Sequence, residues 1–164
     1  IAIAQELKNL PKFRRDGGYT SFVEGWALYA ESLGYETGMY EDLYQLYGAL
    51  IFEMWRACRL VVDTGIHAKK WTRAEAVAYM KKYTANSDLD IKSEVDRYIA
   101  WPGQALAYKT GEMKIKELRR KSEEALGSKF DIKEFHDTML KNGALPLPLL
   151  EVEINRWIQT KLGS

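Results

Sequence analysis

The sequence predicts an all-α protein with a single helical domain of about seven helices. Only four prolines interrupt its 164 residues, and no segment of useful length alternates between polar and apolar residues as a strand does. Residues that cap helices, and glycines that end them, stand at the boundaries of the predicted segments. The length and a hydrophobic fraction of 46% are those of one soluble domain, which we place at residues 1–164.

Seven segments of the chain are predicted to be helical, and capping residues mark where some of them begin. Thr72 and Asp131 each stand three residues before a glutamate, which is the pattern of a capping box. Residues 1–8 are expected to end an earlier helix, and residues 13–18 are expected to form a polar loop. The predicted helices span about 20–37, 41–66, 72–83, 90–100, 102–126, 131–141 and 149–161.

Composition and charge exclude several classes of protein. The chain has 24 basic and 23 acidic residues, and a net charge of +1 gives no basic surface for nucleic acid. Its apolar runs are far too short to span a membrane, and a single cysteine, Cys58, cannot form an internal disulfide. The sequence opens at Ile1 without an initiator methionine, so we expect a fragment of a longer protein. The compartment stays open, either cytoplasmic or exported as a periplasmic protein or lipoprotein.

A carboxylate stands within an apolar helical segment at 22–31. Glu24 has apolar neighbours on nearly every side of this predicted helix, and a glutamate is almost never fully buried without a partner. A cation is therefore expected against Glu24, and the spacing leaves two candidates, an arginine or a metal ion. Glu31 lies two turns further along the same helix face.

A narrow polar stripe runs along the otherwise apolar helix predicted at 41–66. Arg56, Arg59, Asp63 and His67 fall within about 80° of one another around the helix axis, with Glu53 at the edge. A helix this apolar is central, so we expect the stripe to face a polar cavity or buried polar groups. The alternative is a stripe that emerges at the surface, with His67 near the helix end, where a cation is favourable.

A third motif follows the break at Trp101-Pro102-Gly103. Gln104 and Tyr108 share one helix face, with Lys109 beside them. The free N–H groups at a helix start can bind a substrate carboxylate, and a tyrosine and a glutamine there can donate to a developing oxyanion. The alternative is a kinked helix junction packed by Trp101.

Several familiar catalytic motifs are absent. The sequence has no HExxH or CxxC pair, no phosphate-binding glycine loop and no G-x-S-x-G nucleophile elbow. Its two histidines, His67 and His136, are too far apart in sequence for a local histidine-pair zinc site. This chain is therefore not expected to assemble a common catalytic centre alone.

Four blocks of the sequence together resemble one known family. They are FVEGWALYAE at 22–31, MWRACRLVVDTGIH at 54–67, WPGQALAYK at 101–109 and FHD at 135–137. In this order they are similar to the C-terminal part of the bacterial family called domain of unknown function 885. That family resembles helical zinc metallopeptidases of the gluzincin type. Its His-Glu zinc motif lies directly upstream of the stretch that matches Ile1 and is missing from this chain. The resemblance implies the C-terminal portion of a larger helical metallopeptidase-like fold.

The resemblance also implies roles for individual residues. Glu24, followed by a glycine and an aromatic residue, matches the third zinc ligand of gluzincins. Zinc in the full-length parent would polarise the carbonyl of a peptide substrate, and the oxyanion that forms would need hydrogen-bond donors. The expected catalytic residues are His67, Tyr108 and Arg59, the substrate-binding residues are Gln104, Gly103, Lys109 and Trp101, and the supporting residues around them are Glu31, Asp63 and Arg56. The chain alone is expected to bind no zinc and to hydrolyse no peptide.

The competing hypothesis is a non-catalytic helical module that binds a peptide or a partner domain. Glu24 would then pair with Arg59 or Arg56, and the aromatic side chains would line a groove. Under either hypothesis we expect an exposed apolar face where the rest of the parent docks, which could drive formation of a homodimer.

Overall fold

The structure, a computed structural model, describes residues 6–8 and 10–163 and confirms the all-α class. Residues 1–5, part of the expected N-terminal helix end, lie outside the described residues. Within the described ranges there is no β-strand. The helix bounds are close to those predicted, except that the helix expected from residue 102 begins at Ala107, after a 3-10 turn. The helices are α1 (Lys12–Asp16), α2 (Thr20–Glu36), α3 (Leu43–Lys69), α4 (Arg73–Tyr83), α5 (Asp88–Ala100), α6 (Ala107–Leu126), α7 (Ile132–Leu140) and α8 (Leu147–Gly163), with 3-10 turns at Gln104–Leu106 and Gly127–Lys129.

Side-chain caps fix the starts of the helices that carry the site. The Asp42 side chain accepts a hydrogen bond from a backbone N–H in the first turn of α3, and Ser87 does the same for α5. The capping box predicted at Thr72 is confirmed with both of its hydrogen bonds, and Asp131 accepts from two N–H groups of α7. These bonds satisfy donors that a helix start would otherwise leave unpaired.

The polar loop predicted at 13–18 is wrong in part, because α1 occupies most of it. Pro11 precedes α1 with a φ of −62°, and the N–H of Gly17 closes the segment by donating to the carbonyl of Phe13. The central helix α3 also runs three residues beyond its predicted end at 66, and Lys70 ends it in the left-handed conformation with a φ of 60°.

The helices group into two compact units, one made of Leu28–Lys109 and the other of Ile1–Ala27 with Thr110–Ser164. In the unit of 28–109, α3 packs against α4, α5 and the first 3-10 turn. A buried cluster joins these elements, and each large side chain in it contributes about 1.5–3 kcal/mol by leaving water. The cluster is made of Trp55, Cys58, Val62, Ala76, Met80, Ile91, Val95, Tyr98 and Ala105.

The other unit has its core on α6, α7 and α8. Leu150, Ile154 and Ile158 are buried, which confirms most of the apolar stripe of the last helix. Trp157, the fourth member of the stripe, is half-buried, and its ring lies 6.3 Å from that of Phe130 between centroids. The unit is therefore held chiefly by apolar packing.

The first half of α3 carries an exposed apolar surface. Leu43 and Tyr44 are 79% and 88% exposed, and three more large apolar side chains on this side of the helix are exposed beside them. We call this surface the α3 apolar face, and its other members are Tyr47, Leu50 and Met54. Contiguous apolar surface of this kind is typical of interaction sites.

Candidate functional site

The predicted polar stripe of α3 faces inward over most of its length. The side chains of Arg59 and Arg56 are only 12% and 18% exposed, and Asp63 is 2% exposed. His67, one turn further on, is exposed. The expectation of buried polar partners is therefore confirmed for Arg59 and Asp63, whose partners lie on α5 and in the segment after it.

Glu94 of α5 is the centre of these contacts. Its Oε2 atom accepts hydrogen bonds from Arg59 Nη2 and from the hydroxyl of Tyr98, each at 2.9 Å. Arg97 donates to both oxygens of the same carboxylate, from Nε at 3.0 Å and from Nη2 at 2.8 Å. The hydrogen bonds from Arg97, and then those of Tyr98 and the charges of both arginines, lower the pKa of Glu94 to about 2 against the opposing effect of burial. Glu94 is thus a permanent anion at neutral pH.

Tyr98 links this ion pair to the apolar core. Its hydroxyl accepts hydrogen bonds from Arg59 Nε at 2.9 Å and from Trp55 Nε1 at 3.2 Å while it donates to Glu94. Burial is the main reason that the pKa of Tyr98 is raised to about 12. The phenol therefore stays protonated and keeps Arg59 in one orientation.

Tyr108, at the start of α6, lies against Arg59 on its other side. The guanidinium carbon of Arg59 is 4.7 Å from the centroid of the Tyr108 ring, which is a cation–π distance. Gln104 donates from Nε2 to the Tyr108 hydroxyl at 3.4 Å, and its Oε1 accepts from Arg97 Nη1 at 2.6 Å. Because the hydroxyl oxygen of Tyr108 accepts from Gln104, its own O–H stays available to donate to a ligand.

These groups form part of the wall of an open cavity of about 270 Å³. Three residues predicted for the site, Arg56, Arg59 and Tyr108, line it together. The sequence analysis did not assign the remaining wall residues, which are Phe52, Trp55, Asn86, Asp90 and Glu94. One signal could have found Glu94, because it stands four residues before Tyr98 on the same face of a predicted helix.

Other predicted site residues have structural partners. Asp63 accepts a hydrogen bond from the N–H of Gly103 at 3.0 Å and so fixes the turn before α6, where Gly103 has a φ of 81°. His67 Nε2 lies 3.0 Å from the carbonyl of Tyr98, and because a carbonyl only accepts, this nitrogen carries the proton. His67 thus caps the end of α5, and its catalytic role stays a prediction.

The remaining substrate-binding and supporting candidates lie outside the cavity wall. Lys109 donates to Glu53 at 2.9 Å, and Trp101 is 61% exposed. Glu31 lies 3.6 Å from Arg56, which is a charge contact without a hydrogen bond. The predicted roles of Lys109, Trp101 and Glu31 stay predictions.

Glu24 lies on α2, in the other compact unit, and is half-buried. Next to it, Gly25 packs against Gly111 of α6 so closely that a Cβ on Gly25 would lie 2.4 Å from the Gly111 Cα. A Cβ on Gly111 would lie 1.9 Å from the carbonyl oxygen of Ser21. Two helices with backbones in contact leave little freedom for the position of Glu24.

Arg59 and Arg56, the arginines expected against Glu24, belong to the other compact unit, and this pairing stays a prediction. Those arginines form their ion pairs with Glu94 and Glu31. Among residues 6–8 and 10–163, no group of three or more His, Cys, Asp and Glu side chains is placed to hold a metal ion. The role of Glu24 as a zinc ligand stays a prediction.

Comparison with known proteins identifies the family. Residues 1–154 match the family described as "Bacterial protein of unknown function (DUF885)". The chain belongs to the DUF885 family. This confirms the family predicted from the four sequence blocks, and no curated protein matches the DUF885 chain.

Two solved structures resemble this DUF885 chain, and each is described as a "putative lipoprotein". The one from Colwellia psychrerythraea has 47% sequence identity and a TM-score of 0.95, and the match covers 97% of this chain and 27% of that chain. The one from Shewanella oneidensis has 23% sequence identity and a TM-score of 0.82, and the match covers 92% of this chain and 28% of that chain. At this identity the likeness shows the fold alone. The DUF885 chain thus spans about a quarter of the length of either protein. No helix in its described part is both long and apolar enough to cross a membrane.

Proposed function

We propose that this chain is part of a zinc-dependent peptidase, in which Glu24 is one zinc ligand and the cavity on α3 binds peptide. The observation that supports it is Glu24 itself, a half-buried carboxylate that forms no ion pair or side-chain hydrogen bond among the described residues. A carboxylate in such a place is stabilised by a cation. The proposal assigns that role to zinc, with its histidine ligands supplied by the parent protein outside this chain.

Zinc, when bound, polarises the carbonyl of the peptide bond and activates a water for its hydrolysis. The residues of this chain do the binding and positioning. The close contact between Gly25 and Gly111 holds the backbone next to Glu24 in place. In the cavity, the fixed guanidinium of Arg59 and the free O–H of Tyr108 can donate hydrogen bonds to a negatively charged oxygen of a peptide.

The test compares zinc content and peptide hydrolysis in the full-length protein with those of its Glu24→Ala variant. We expect the variant to bind zinc at least about 100-fold more weakly. Loss of a residue that only hydrogen-bonds to a metal ligand lowers metal affinity about 10–100-fold, and loss of a ligand itself should cost more. Hydrolysis should fall with the zinc content. The control is Glu124→Ala, which removes an exposed carboxylate paired with Arg120 and should change neither quantity. Unchanged zinc content in Glu24→Ala would remove Glu24 from the metal site.

A second candidate function is a non-catalytic interaction module, and the α3 apolar face favours it. Exposed aromatic and aliphatic side chains on one helix are suited to a partner protein or a second copy of the chain. The two functions are separated by the sequence that precedes Ile1 in the gene. A His-Glu motif there supports the peptidase, and its absence supports the module.

The α3 apolar face also predicts the behaviour of the isolated chain. We expect the 164-residue chain to self-associate as its concentration rises, because exposed Leu43 and Tyr44 can leave water in a dimer. Light scattering over a concentration series measures this directly. A Leu43→Ser, Tyr44→Ser variant should stay monomeric, and a monomeric parent chain at high concentration would count against the dimer.

A further inference from the structure

The guanidinium of Arg56 has an incomplete set of partners in the cavity wall. Its Nη2 atom is 3.6 Å from Glu31, too far for a hydrogen bond, and the side chain of that glutamate is 53% exposed. Its Nη1 atom is buried and has no hydrogen-bond partner among the described residues. The group is held instead by packing, with its central carbon 5.0 Å from the centroid of the Phe52 ring. Arg56 is therefore a largely buried cation with unused N–H donors.

The same wall carries an acceptor that also lacks a partner. Oδ1 of Asn86, in the turn before α5, is buried and accepts no hydrogen bond in the described part of the chain. A buried polar atom left unpaired costs about 1–3 kcal/mol. An unpaired donor and an unpaired acceptor on residues of one cavity wall can both be satisfied by a single ligand.

The charges of the wall restrict what that ligand can be. Arg56 and Arg59 are balanced by Asp90 and Glu94, so the lining as a whole is neutral. Arg59 is already committed to Glu94, whereas Arg56 is not. The two carboxylates would repel a dianion such as phosphate more strongly than a ligand with a single negative group, and they can accept hydrogen bonds from an N–H donor of that ligand.

We propose that this cavity binds the C-terminal residue of a peptide, with its carboxylate at Arg56 and its amide N–H at Asn86. The side chain of that residue would pack on the rings of Phe52, Trp55 and Tyr108, which line the same cavity. A volume of about 270 Å³ is below the range of about 300–1,000 Å³ typical of drug-sized ligands, and it suits a single residue. The inference rests on the proposed peptidase function and makes the free C-terminus of the substrate its point of recognition.

Binding requires small movements of two side chains, and Oδ1 of Asn86, closed off from solvent like Nη1 of Arg56, must turn toward the cavity. Nη1 of Arg56 is closed off from solvent in this conformation, so the guanidinium must turn about its last side-chain bonds to reach the ligand. The turn breaks no hydrogen bond, because Arg56 makes none with Glu31 at 3.6 Å. A bidentate pair with a carboxylate would then use the donors that are now unsatisfied.

Equilibrium binding tests the proposal without requiring catalysis. The full-length protein, as isolated and after treatment with a chelator, is titrated in a calorimeter with acetyl-Gly-Phe and with acetyl-Gly-Phe-amide. We expect the free acid to bind at least about tenfold more tightly than the amide, since a charge-assisted pair replaces a neutral contact. In Arg56→Gln the preference should disappear, and in Arg56→Lys it should be reduced, because the charge remains without the planar fork.

The control variant is Arg120→Gln, which removes an exposed arginine of α6 and should keep the full preference for the acid. Circular dichroism confirms that each variant is folded. Equal binding of acid and amide by the unaltered protein overturns the proposal, and so does a preference that survives in Arg56→Gln. Equally tight binding of inorganic phosphate would identify a simple anion site instead. Because these titrations need no turnover, they test recognition of the C-terminal carboxylate even in a protein without peptidase activity.

Discussion

Gly111→Ala is expected to lower the free energy of unfolding by about 3 kcal/mol or more, which is at the upper end of overpacking effects. The added methyl group would lie 1.9 Å from the carbonyl oxygen of Ser21 and 2.7 Å from the Cα of Gly25. Both are backbone atoms of α2, so no side chain can move aside and the helices must separate. Urea unfolding followed by circular dichroism measures the loss.

Gly48→Ala is the matched control for this steric effect. Gly48 also lies within a helix, α3, but a Cβ there would meet no atom within 4 Å. Alanine is the better helix former, so this variant should gain about 0.5–1 kcal/mol. A Gly111→Ala protein as stable as the parent would show that the backbones of α2 and α6 do not touch. Loss of zinc in a folded Gly111→Ala protein would connect this contact to the position of Glu24.

Glu94→Gln is expected to destabilise the protein by about 2–3 kcal/mol at pH 7, because it leaves Arg59 inside the fold without its anion. The side chains of Glu94 and Arg59 are 26% and 12% exposed, so water replaces the lost contacts only in part. Arg97 would also lose its pair of charge-assisted hydrogen bonds to the same carboxylate. The measurement is urea unfolding at pH 7, and Asp96→Asn, in an exposed pair with Arg73, should cost less than about 1 kcal/mol.

The same contact predicts how stability depends on pH. Folding lowers the pKa of Glu94 from 4.5 to about 2, so the unfolded chain takes up this proton at a higher pH than the folded one. The contribution of Glu94 is therefore complete above about pH 5 and is lost as the pH falls toward 2. At pH 3 the difference between the parent and Glu94→Gln should shrink to less than about half of its value at pH 7. A difference that is constant from pH 7 to pH 3 would contradict the lowered pKa.

Much of the architecture could be predicted because it depends on local patterns. The stripe of Arg56, Arg59 and Asp63 follows from a rotation of about 100° per residue, and its inward direction follows from the apolar faces around it. The capping box at Thr72 and the side-chain cap at Asp131 depend on residues two or three apart in sequence. α1 was missed because five residues are too few to show a helical period.

The partners within the site could not be predicted, because they are set by packing between distant segments. Arg59 and Glu94 are 35 residues apart, and only the packing of α5 on α3 brings them together. Asn86 was recognised as part of a turn, but nothing in the sequence indicates that its side chain lines a cavity. The carboxylates that Arg59 and Arg56 face, Glu94 and Glu31, could not be predicted for the same reason.

The two arginines of the cavity differ in mobility, and this difference limits how tightly the cavity can bind. Arg59 is fixed by Glu94, by Tyr98 and by the ring of Tyr108, so it has little conformational entropy left to lose. Arg56 is held loosely, and immobilising such a side chain costs about 0.5–1.5 kcal/mol on binding. Recognition at this site should therefore be weak and readily reversible.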